Sequence, residues 1–413
     1  MTRYQTAVLE NGLRIIALPT TSPVVYCGYQ VNVGTANELP NEEGIAHFCE
    51  HVTFKGTTQR TAIDVIQCLE QVGGDLNAFT TKTDTVYYSV ILKDNLPRAI
   101  DLLTDIVFHS TYPQKEINKE VEVICDEIES YNDSPAELIY DEFENIIFRG
   151  HPLGHSILGT AERVRNFTTK DALRFTQKYY NPMNSVFFVY GDIGFDHLIS
   201  LLEKENNSKV KMKGETEKPV ETALPPLKEY QPQIVKIDKQ THQAHVMIGN
   251  RAYSIHDKRR MALYLLNNIL GGPGMSARLN LALRERRGLV YTVDSSMVSY
   301  PSTGIWGIYF GCDADDLDEC MQLVRAELDR FMSVPLTADE LSVAKQQIKG
   351  QIGIACDNRE NLALDFGKGF LHYGWKKDIT ALYRNIDAIT AEDIQAVAGE
   401  LFPEERLTKL IYI

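Results

Sequence analysis

Two histidines and a glutamate in the segment GIAHFCEHVTFKGT are the residues of this chain best suited to metal chemistry. If the segment is helical, His47 and His51 lie four residues apart on one face, the spacing that lets two imidazoles bind one ion. Glu50 flanks that face and can accept a proton from an attacking water. The pattern therefore predicts metal-assisted hydrolysis. The alternative is an ordinary solvated helix face that carries two histidines.

A catalytic zinc ion usually has three protein ligands, so a third group must come from elsewhere in the chain. The segment KEINKEVEVICDEIESYNDSP has apolar residues at helical spacing and predicts a helix with one buried stripe. At about 100° per residue, Glu120 and Glu127 fall on one edge of that stripe. Glu122, Asp126 and Glu129 project further toward water. Glu120 and Glu127 are therefore the two candidate inward carboxylates.

The elements that position these groups divide into two halves. The stretch between Glu203 and Gln231 is charged, contains prolines and has few large apolar residues, so it predicts a linker. We predict an N-terminal domain over 1–205, a linker over 206–230 and a C-terminal domain over 231–413. Each half starts with β-rich alternation and continues into helices.

A weak similarity between the two halves of the sequence indicates duplication. The segment CLEQVGGDLNAFTTKTDTVYYSVIL in the first half and ALRERRGLVYTVDSSMVSYPSTGIWGIYF in the second share an order of helix, glycine and two β-rich runs. We therefore predict an α+β fold with two similar duplicated domains. Each is expected to be a mostly antiparallel sheet with helices on one side.

Composition excludes several classes of protein. The chain has 413 residues, of which 44% are hydrophobic and 24% charged, and a formal net charge of −14. That charge argues against nucleic-acid binding, which needs a positive surface. No stretch approaches the roughly 20 apolar residues of a membrane span, so we expect a cytoplasmic protein without a membrane partner. The seven cysteines never form a CxxC pair, which argues against both disulfides and a thiolate zinc site.

The HxxEH order is the inverzincin signature, and together with the downstream glutamate helix it resembles the M16 peptidase family. That family includes pitrilysin, insulin-degrading enzyme and the mitochondrial processing peptidases, and the resemblance runs over the whole chain. It implies the M16 metallopeptidase fold. It also implies that His47, His51 and Glu127 bind one Zn²⁺ per subunit. Glu50 would be the general base, and Glu120 would orient a zinc-binding histidine.

The same resemblance implies two sets of substrate-binding residues. GGDLNAFTTKTDTVYYSVIL is similar to the family's edge strand, with Asn77, Ala78 and Phe79 at the centre of a site for an extended peptide. ALRERRGLVYTVDSS is similar to the segment in which an arginine and a tyrosine, here Arg284 and Tyr291, hold the substrate and stabilise an oxyanion. From the residues alone, without the family resemblance, the first segment predicts an ordinary paired strand and Arg284 is interpreted as a surface charge.

The chain has about half the length of the large single-chain members of the family, and so resembles a half-size, bacterial-type member. The resemblance therefore implies a homodimer in which two subunits enclose a chamber, and a zinc endopeptidase that cleaves unfolded peptides or precursor segments. Two alternatives stay open within the family: the catalytic subunit of a heterodimeric processing peptidase, and a non-catalytic scaffold subunit. A nucleotide-binding enzyme is disfavoured because GGPGMSARL lacks the phosphate-loop pattern.

Overall fold

The computed structural model describes residues 4–212 and 224–413. These residues form two compact units, each built from several stretches of chain. The first unit contains residues 4–129, 155–212, 224–225 and 355–377. The second unit contains residues 130–154, 226–354 and 378–413.

A seven-stranded sheet is the scaffold of the first unit. Its strands are β1 Gln5–Leu9, β2 Arg14–Pro19, β3 Val24–Val31, β4 Asp75–Thr80, β5 Thr85–Leu92, β6 Ser185–Gly191 and β7 Val210–Met212. They lie in the order β4-β5-β3-β6-β2-β1-β7, and only the β2–β6 pair is parallel. This order leaves β4 at one edge of the sheet.

A five-stranded sheet is the scaffold of the second unit. Its strands are β8 Ile234–Ile237, β9 Ala244–Ala252, β10 Val290–Ser299, β11 Gly304–Cys312 and β12 Thr408–Tyr412. They lie in the order β10-β11-β9-β12-β8, and the β8–β12 pair is parallel. This order repeats β4-β5-β3-β6-β2 of the first sheet strand for strand. The predicted α+β class and the duplication are confirmed.

Helices surround both sheets. The described helices are α1 Ile45–Thr53, α2 Ala62–Glu70, α3 Leu96–His109, α4 Gln114–Asn132, α5 Pro135–Ile147, α6 Ala161–Val164, α7 Thr169–Tyr179, α8 Phe195–Glu205, α9 Arg260–Gly271, α10 Leu317–Ser333, α11 Ala338–Ala355, α12 Arg359–Tyr373, α13 Ile379–Ala388 and α14 Ala391–Leu401. Among the described residues, no helix has the length and apolar character needed to cross a membrane.

The first sheet carries helices on both faces, not on one side as the sequence suggested. One face belongs to a large core with α1, α3, α4, α7 and α8, and α12 covers the other face. The reason is visible in β2 and β6, where residues 15–18 and 186–189 are consecutive apolar residues and all buried, as strands covered on both faces require. Phe366 and Phe370 of α12 are almost completely buried there, which contributes about 2 kcal/mol each.

The compact units depart from the predicted halves at two helices. α12 comes from the C-terminal half of the chain but packs on the first sheet, and α5 comes from the N-terminal half but packs on β9 and β12. The predicted limits 1–205 and 231–413 therefore do not follow the units at these helices. Of the predicted linker 206–230, residues 213–223 lie outside the described residues. Its first part includes β7, which pairs with β1.

Candidate metal centre

Helix α1 is held firmly at its N-terminus, which fixes the two histidines that follow. Gly44 precedes the helix with φ of 96°, and a side chain there would lie 2.8 Å from the Leu158 carbonyl oxygen. The buried carboxylate of Glu38 accepts hydrogen bonds from the backbone N–H groups of Gly44, at 3.0 Å, and Ala46, at 2.8 Å. A carboxylate in this place satisfies unpaired N–H groups and complements the helix dipole.

The predicted metal ligands converge. The rings of His47 and His51 lie 4.6 Å apart between centroids, as i and i+4 positions of one helix require. His47 Nε2 lies 3.8 Å from Glu127 Oε1, and His51 Nε2 lies 3.3 Å from Glu127 Oε2. One donor atom from each of the three residues lies within 4.8 Å of the others. The second ring nitrogen of each histidine is thus left for other contacts.

Helix α4 supplies the carboxylates in the way that its periodicity predicts. The apolar stripe is buried in the first core, and it includes Ile117, Val121, Ile124 and Ile128. Glu120 and Glu127 lie beside this stripe and contact the histidines, whereas Glu122, Asp126 and Glu129 are exposed. Glu127 itself is 45% exposed, so its contact with both imidazoles, and not burial, distinguishes it from its neighbours.

The three side chains fit a zinc ion. Two imidazoles and one carboxylate are a ligand set found in catalytic zinc sites, which keep a fourth position open. Zinc bonds of about 2.0–2.2 Å separate tetrahedral ligands by about 3.3–3.6 Å. The observed separations of 3.3 and 3.8 Å are close to that range. Within the described part of the chain, this is also the one cluster of three or more such side chains with metal-site spacing.

The two histidines differ in proton affinity. Burial, followed by the proximity of His51, lowers the pKa of His47 to about 4, although Glu127 opposes the shift. Burial also disfavours the charged form of His51, but hydrogen bonds to Glu120 and Glu127 outweigh it and raise its pKa to about 9. The same hydrogen bond from His51 holds the pKa of Glu127 below its usual range. A bound cation would replace the His51 proton, because both place positive charge against the same carboxylate.

Glu50, the predicted base, lies beside this cluster. Its side chain is buried, and its Oε2 accepts a hydrogen bond from Thr80 Oγ1 at 2.5 Å. Burial raises the pKa of Glu50, while the Thr80 hydrogen bond and the nearby His51 act in the opposite direction. A carboxylate with a raised pKa is better able to accept and return a proton near neutral pH. Thr80 was not among the predicted site residues, although it directly follows Phe79 within the predicted edge strand.

Glu120 contacts the outer nitrogen of His51. Its Oε1 lies 3.1 Å from His51 Nδ1, and its Oε2 lies 2.5 Å from Lys55 Nζ. Burial opposes ionisation of this carboxylate, but the hydrogen bonds from His51 and Lys55 prevail and lower its pKa. Sequence reasoning missed Lys55. The available signal was its position four residues after His51, which continues the face of His47 and His51.

The predicted peptide-binding strand lies next to the same site. Asn77, Ala78 and Phe79 belong to β4, which pairs with β5 along one side and ends the sheet on the other. A cavity of about 640 Å³ extends from Glu50 and His51 along this strand and includes Asn77 and Ala78 in its wall. The strand therefore presents an edge of unpaired backbone groups beside the candidate base.

Arg284 and Tyr291 belong to the second compact unit. Arg284 lies in a π-helical segment, Asn280–Glu285, and Tyr291 lies near the start of the edge strand β10. The guanidinium carbon lies 5.6 Å from the centroid of the Tyr291 ring. Tyr291 is 82% exposed, which is high for an aromatic side chain. The structure thus brings these two residues together, as a pair, in their own unit.

Two family sequence models match this chain. The sequence model described as "Insulinase (Peptidase family M16)" matches residues 14–161, and the one described as "Peptidase M16 inactive domain" matches residues 166–348. All three candidate metal ligands lie in the first match.

Two zinc proteases are similar to this chain over nearly their whole length. An uncharacterized zinc protease of Bacillus subtilis (strain 168), YmxG, is 32% identical over 97% of this chain and 96% of its own length. An uncharacterized zinc protease of Rickettsia bellii (strain RML369-C) is 31% identical over 99% of this chain and 97% of its own length.

Solved structures share the fold. A protease from Helicobacter pylori superposes with a TM-score of 0.89 at 23% identity and covers 100% of this chain and 99% of its own. A peptidase M16 inactive domain from Pseudomonas fluorescens superposes with a TM-score of 0.89 at 20% identity and covers 99% of this chain and 97% of its own. With two family matches along the sequence and relatives above 30% identity over nearly its whole length, this chain belongs to peptidase family M16.

Proposed function

We propose that this chain is a zinc-dependent endopeptidase that cleaves unfolded peptides or precursor segments. The observation that carries the proposal is the convergence of His47, His51 and Glu127 within 4.8 Å, with the buried carboxylate of Glu50 beside them. Two imidazoles and a carboxylate at this spacing are the ligand set of catalytic zinc sites, and the base lies where it can reach a water molecule at the open position. The zinc proteases among the relatives support the choice of metal.

The metal would be held by His47, His51 and Glu127. When bound, zinc would supply Lewis acidity that polarises the scissile carbonyl and acidifies a water molecule. Glu50 accepts the proton of the attacking water and later returns it to the leaving amine. Its burial and its hydrogen bond from Thr80 fix the carboxylate for both steps.

The substrate would bind as an added strand along β4. Backbone N–H and C=O groups of Asn77, Ala78 and Phe79 would pair with the peptide backbone, so binding would depend on an extended conformation more than on side-chain identity. The cavity beside Glu50 would accommodate a substrate side chain next to the scissile bond. Folded proteins cannot offer a free strand in this way, which is why unfolded peptides are the expected substrates.

Arg284 and Tyr291 would complete the site from a second subunit of the same chain. The guanidinium and the exposed phenol can donate hydrogen bonds to a substrate carbonyl and to the oxyanion that develops on it. A homodimer would then contain two equivalent sites, each with one zinc ion, inside a chamber formed by the two subunits.

Two substitutions test the proposed chemistry. Glu50→Gln should keep zinc at the wild-type stoichiometry but lower cleavage of an unstructured peptide by about a thousandfold, because the base is lost and the ligands are intact. His51→Ala should lose zinc as well as activity. Bound zinc by elemental analysis and peptide cleavage by mass spectrometry measure both outcomes. Undiminished cleavage by the Glu50→Gln protein would contradict the assignment of the base.

A further inference from the structure

Lys55 contacts Glu120, the carboxylate that in turn contacts His51. We infer that Lys55 is a positioning residue: through Glu120 it holds the His51 ring in the orientation that binds the metal ion. This inference rests on the proposed function, because it takes His51 to be a metal ligand. It extends that function to a residue outside the three candidate ligands and the candidate base.

Three side chains form a continuous series that ends at the site. Lys55 Nζ lies 2.5 Å from Glu120 Oε2, and Glu120 Oε1 lies 3.1 Å from His51 Nδ1. The other nitrogen of the same ring, Nε2, faces Glu127 Oε2 at 3.3 Å. Each oxygen of Glu120 therefore has its own partner. A carboxylate whose two oxygens both have partners cannot rotate freely. It therefore also restricts rotation of the imidazole ring that it contacts.

The backbone places Lys55 with little freedom. Lys55 is four residues after His51 and just beyond the end of α1, and its N–H still donates to the Val52 carbonyl at 3.1 Å. Gly56 follows with φ of 131°, a conformation that turns the chain away from the helix and that other residues rarely adopt. Lys55 thus continues the face of the two histidines while the chain leaves the helix.

Burial makes the contact more than a surface ion pair. The Lys55 side chain is 24% exposed and the Glu120 side chain 12% exposed, so water screens the pair only weakly. Both residues lie in the wall of the cavity of about 640 Å³ beside Glu50. Without the ammonium group, Glu120 Oε2 would face that cavity, and the carboxylate would be free to turn away from His51. The restraint on the ring would then weaken.

A neighbouring lysine provides a matched control. Lys119 precedes Glu120 in sequence, yet its Nζ lies 2.8 Å from Glu116 Oε1 and its side chain is 62% exposed. Substituting Lys119 by methionine removes the same charge from the residue next to Glu120 in sequence. It leaves the contacts of Glu120 intact.

The test measures zinc affinity, by competition with a chromophoric chelator, on metal-free protein. We expect Lys55→Met to weaken zinc binding by about tenfold, the lower end of the range for groups that orient metal ligands. Lys119→Met should bind as the wild type does, and Lys55→Arg should recover most of the loss. Unchanged melting of the metal-free Lys55→Met protein would show that the effect is not a general loss of folding.

A double-mutant cycle shows whether Lys55 acts through Glu120. In a Glu120→Ala background, Lys55→Met should cause no further loss of zinc affinity, because both oxygens of Glu120, and with them the contact to Lys55, are already gone. Wild-type affinity in Lys55→Met, or an equal loss in both backgrounds, would overturn the inference while the proposed function stands. Wild-type protein that binds no zinc would overturn both.

Discussion

Thr80 connects the predicted peptide-binding strand to the predicted base at the level of single residues. It is the last residue of β4, and its hydroxyl donates to Glu50 at 2.5 Å. If a peptide adds to β4 as proposed, it would therefore lie close to the proposed base, Glu50. This contact depends on two side chains thirty positions apart in sequence, and neither residue type alone indicates it.

Removing the Thr80 hydroxyl should change the pH dependence of cleavage. The hydrogen bond lowers the pKa of Glu50, so Thr80→Val should raise that pKa and protonate the base at higher pH. We expect cleavage to fall further at about pH 6 than at about pH 8, with zinc still bound. Rates measured across this range would show the shift. Thr80→Ser keeps the hydroxyl and should retain the wild-type profile; an identical shift in that variant would contradict the explanation.

At the scale of elements, one buried aspartate joins α12 to the β4–β5 hairpin. Asp84, in the turn between these strands, is fully buried, and its Oδ1 lies 3.1 Å from Lys368 Nζ and 3.3 Å from His372 Nε2. Burial opposes ionisation, but Lys368 and then His372 outweigh it and hold the pKa of Asp84 far below its usual range. The helix therefore depends on an ion pair as well as on its apolar face.

Asp84→Asn should destabilise the first unit in a pH-dependent way. A carboxylate with a depressed pKa contributes stability above its unfolded pKa of about 3.9, and that contribution is lost as the pH falls through the lower folded value. We expect a loss of about 2 kcal/mol at neutral pH, discounted because Lys368 is half exposed. The difference from wild type should shrink below about pH 4.

Urea unfolding at several pH values measures this difference. Asp94→Asn, at an exposed position of the same unit, is the control and should change the free energy of unfolding little at any pH. A pH-independent loss in Asp84→Asn would mean that shape, and not charge, is what the site requires.

At the scale of the whole molecule, the predicted functional residues fall into two sets. The candidate metal ligands and the base belong to the first compact unit, and Arg284 and Tyr291 belong to the second. We propose a homodimer in which Arg284 and Tyr291 of each subunit complete the site of the other. This arrangement predicts that two inactive variants complement each other, whereas a chain that forms its whole site alone predicts no such recovery.

Mixing two inactive variants should restore activity. A Glu50→Gln subunit keeps Arg284 and Tyr291, and an Arg284→Ala, Tyr291→Phe subunit keeps the base. In a mixed dimer with exchanged residues, one of the two sites is intact, so random mixing should restore about a quarter of wild-type activity. Peptide cleavage after co-expression or subunit exchange measures this recovery. Each variant alone should stay inactive, and a mixture that stays inactive would contradict the exchange.

The local features of this protein were determined by its sequence. Helical periodicity places His47 over His51 and aligns Glu120 with Glu127, because neighbours at i+4 and i+7 share a face whatever the surrounding fold. The confirmed duplication was likewise visible in the order of β-rich runs, since strand length and alternation are short-range patterns. These features carried the family resemblance and the choice of metal.

Contacts between distant segments were decided only in the tertiary structure. Of the two carboxylates that the sequence left as candidates, packing of α4 against α1 places Glu127 between the imidazole Nε2 atoms and Glu120 at the outer nitrogen of His51. It also places Lys55 and Thr80 at the site and assigns α12 to the first sheet. Such contacts depend on which apolar faces bury each other across many residues of chain, and the pattern within any one segment does not contain that information.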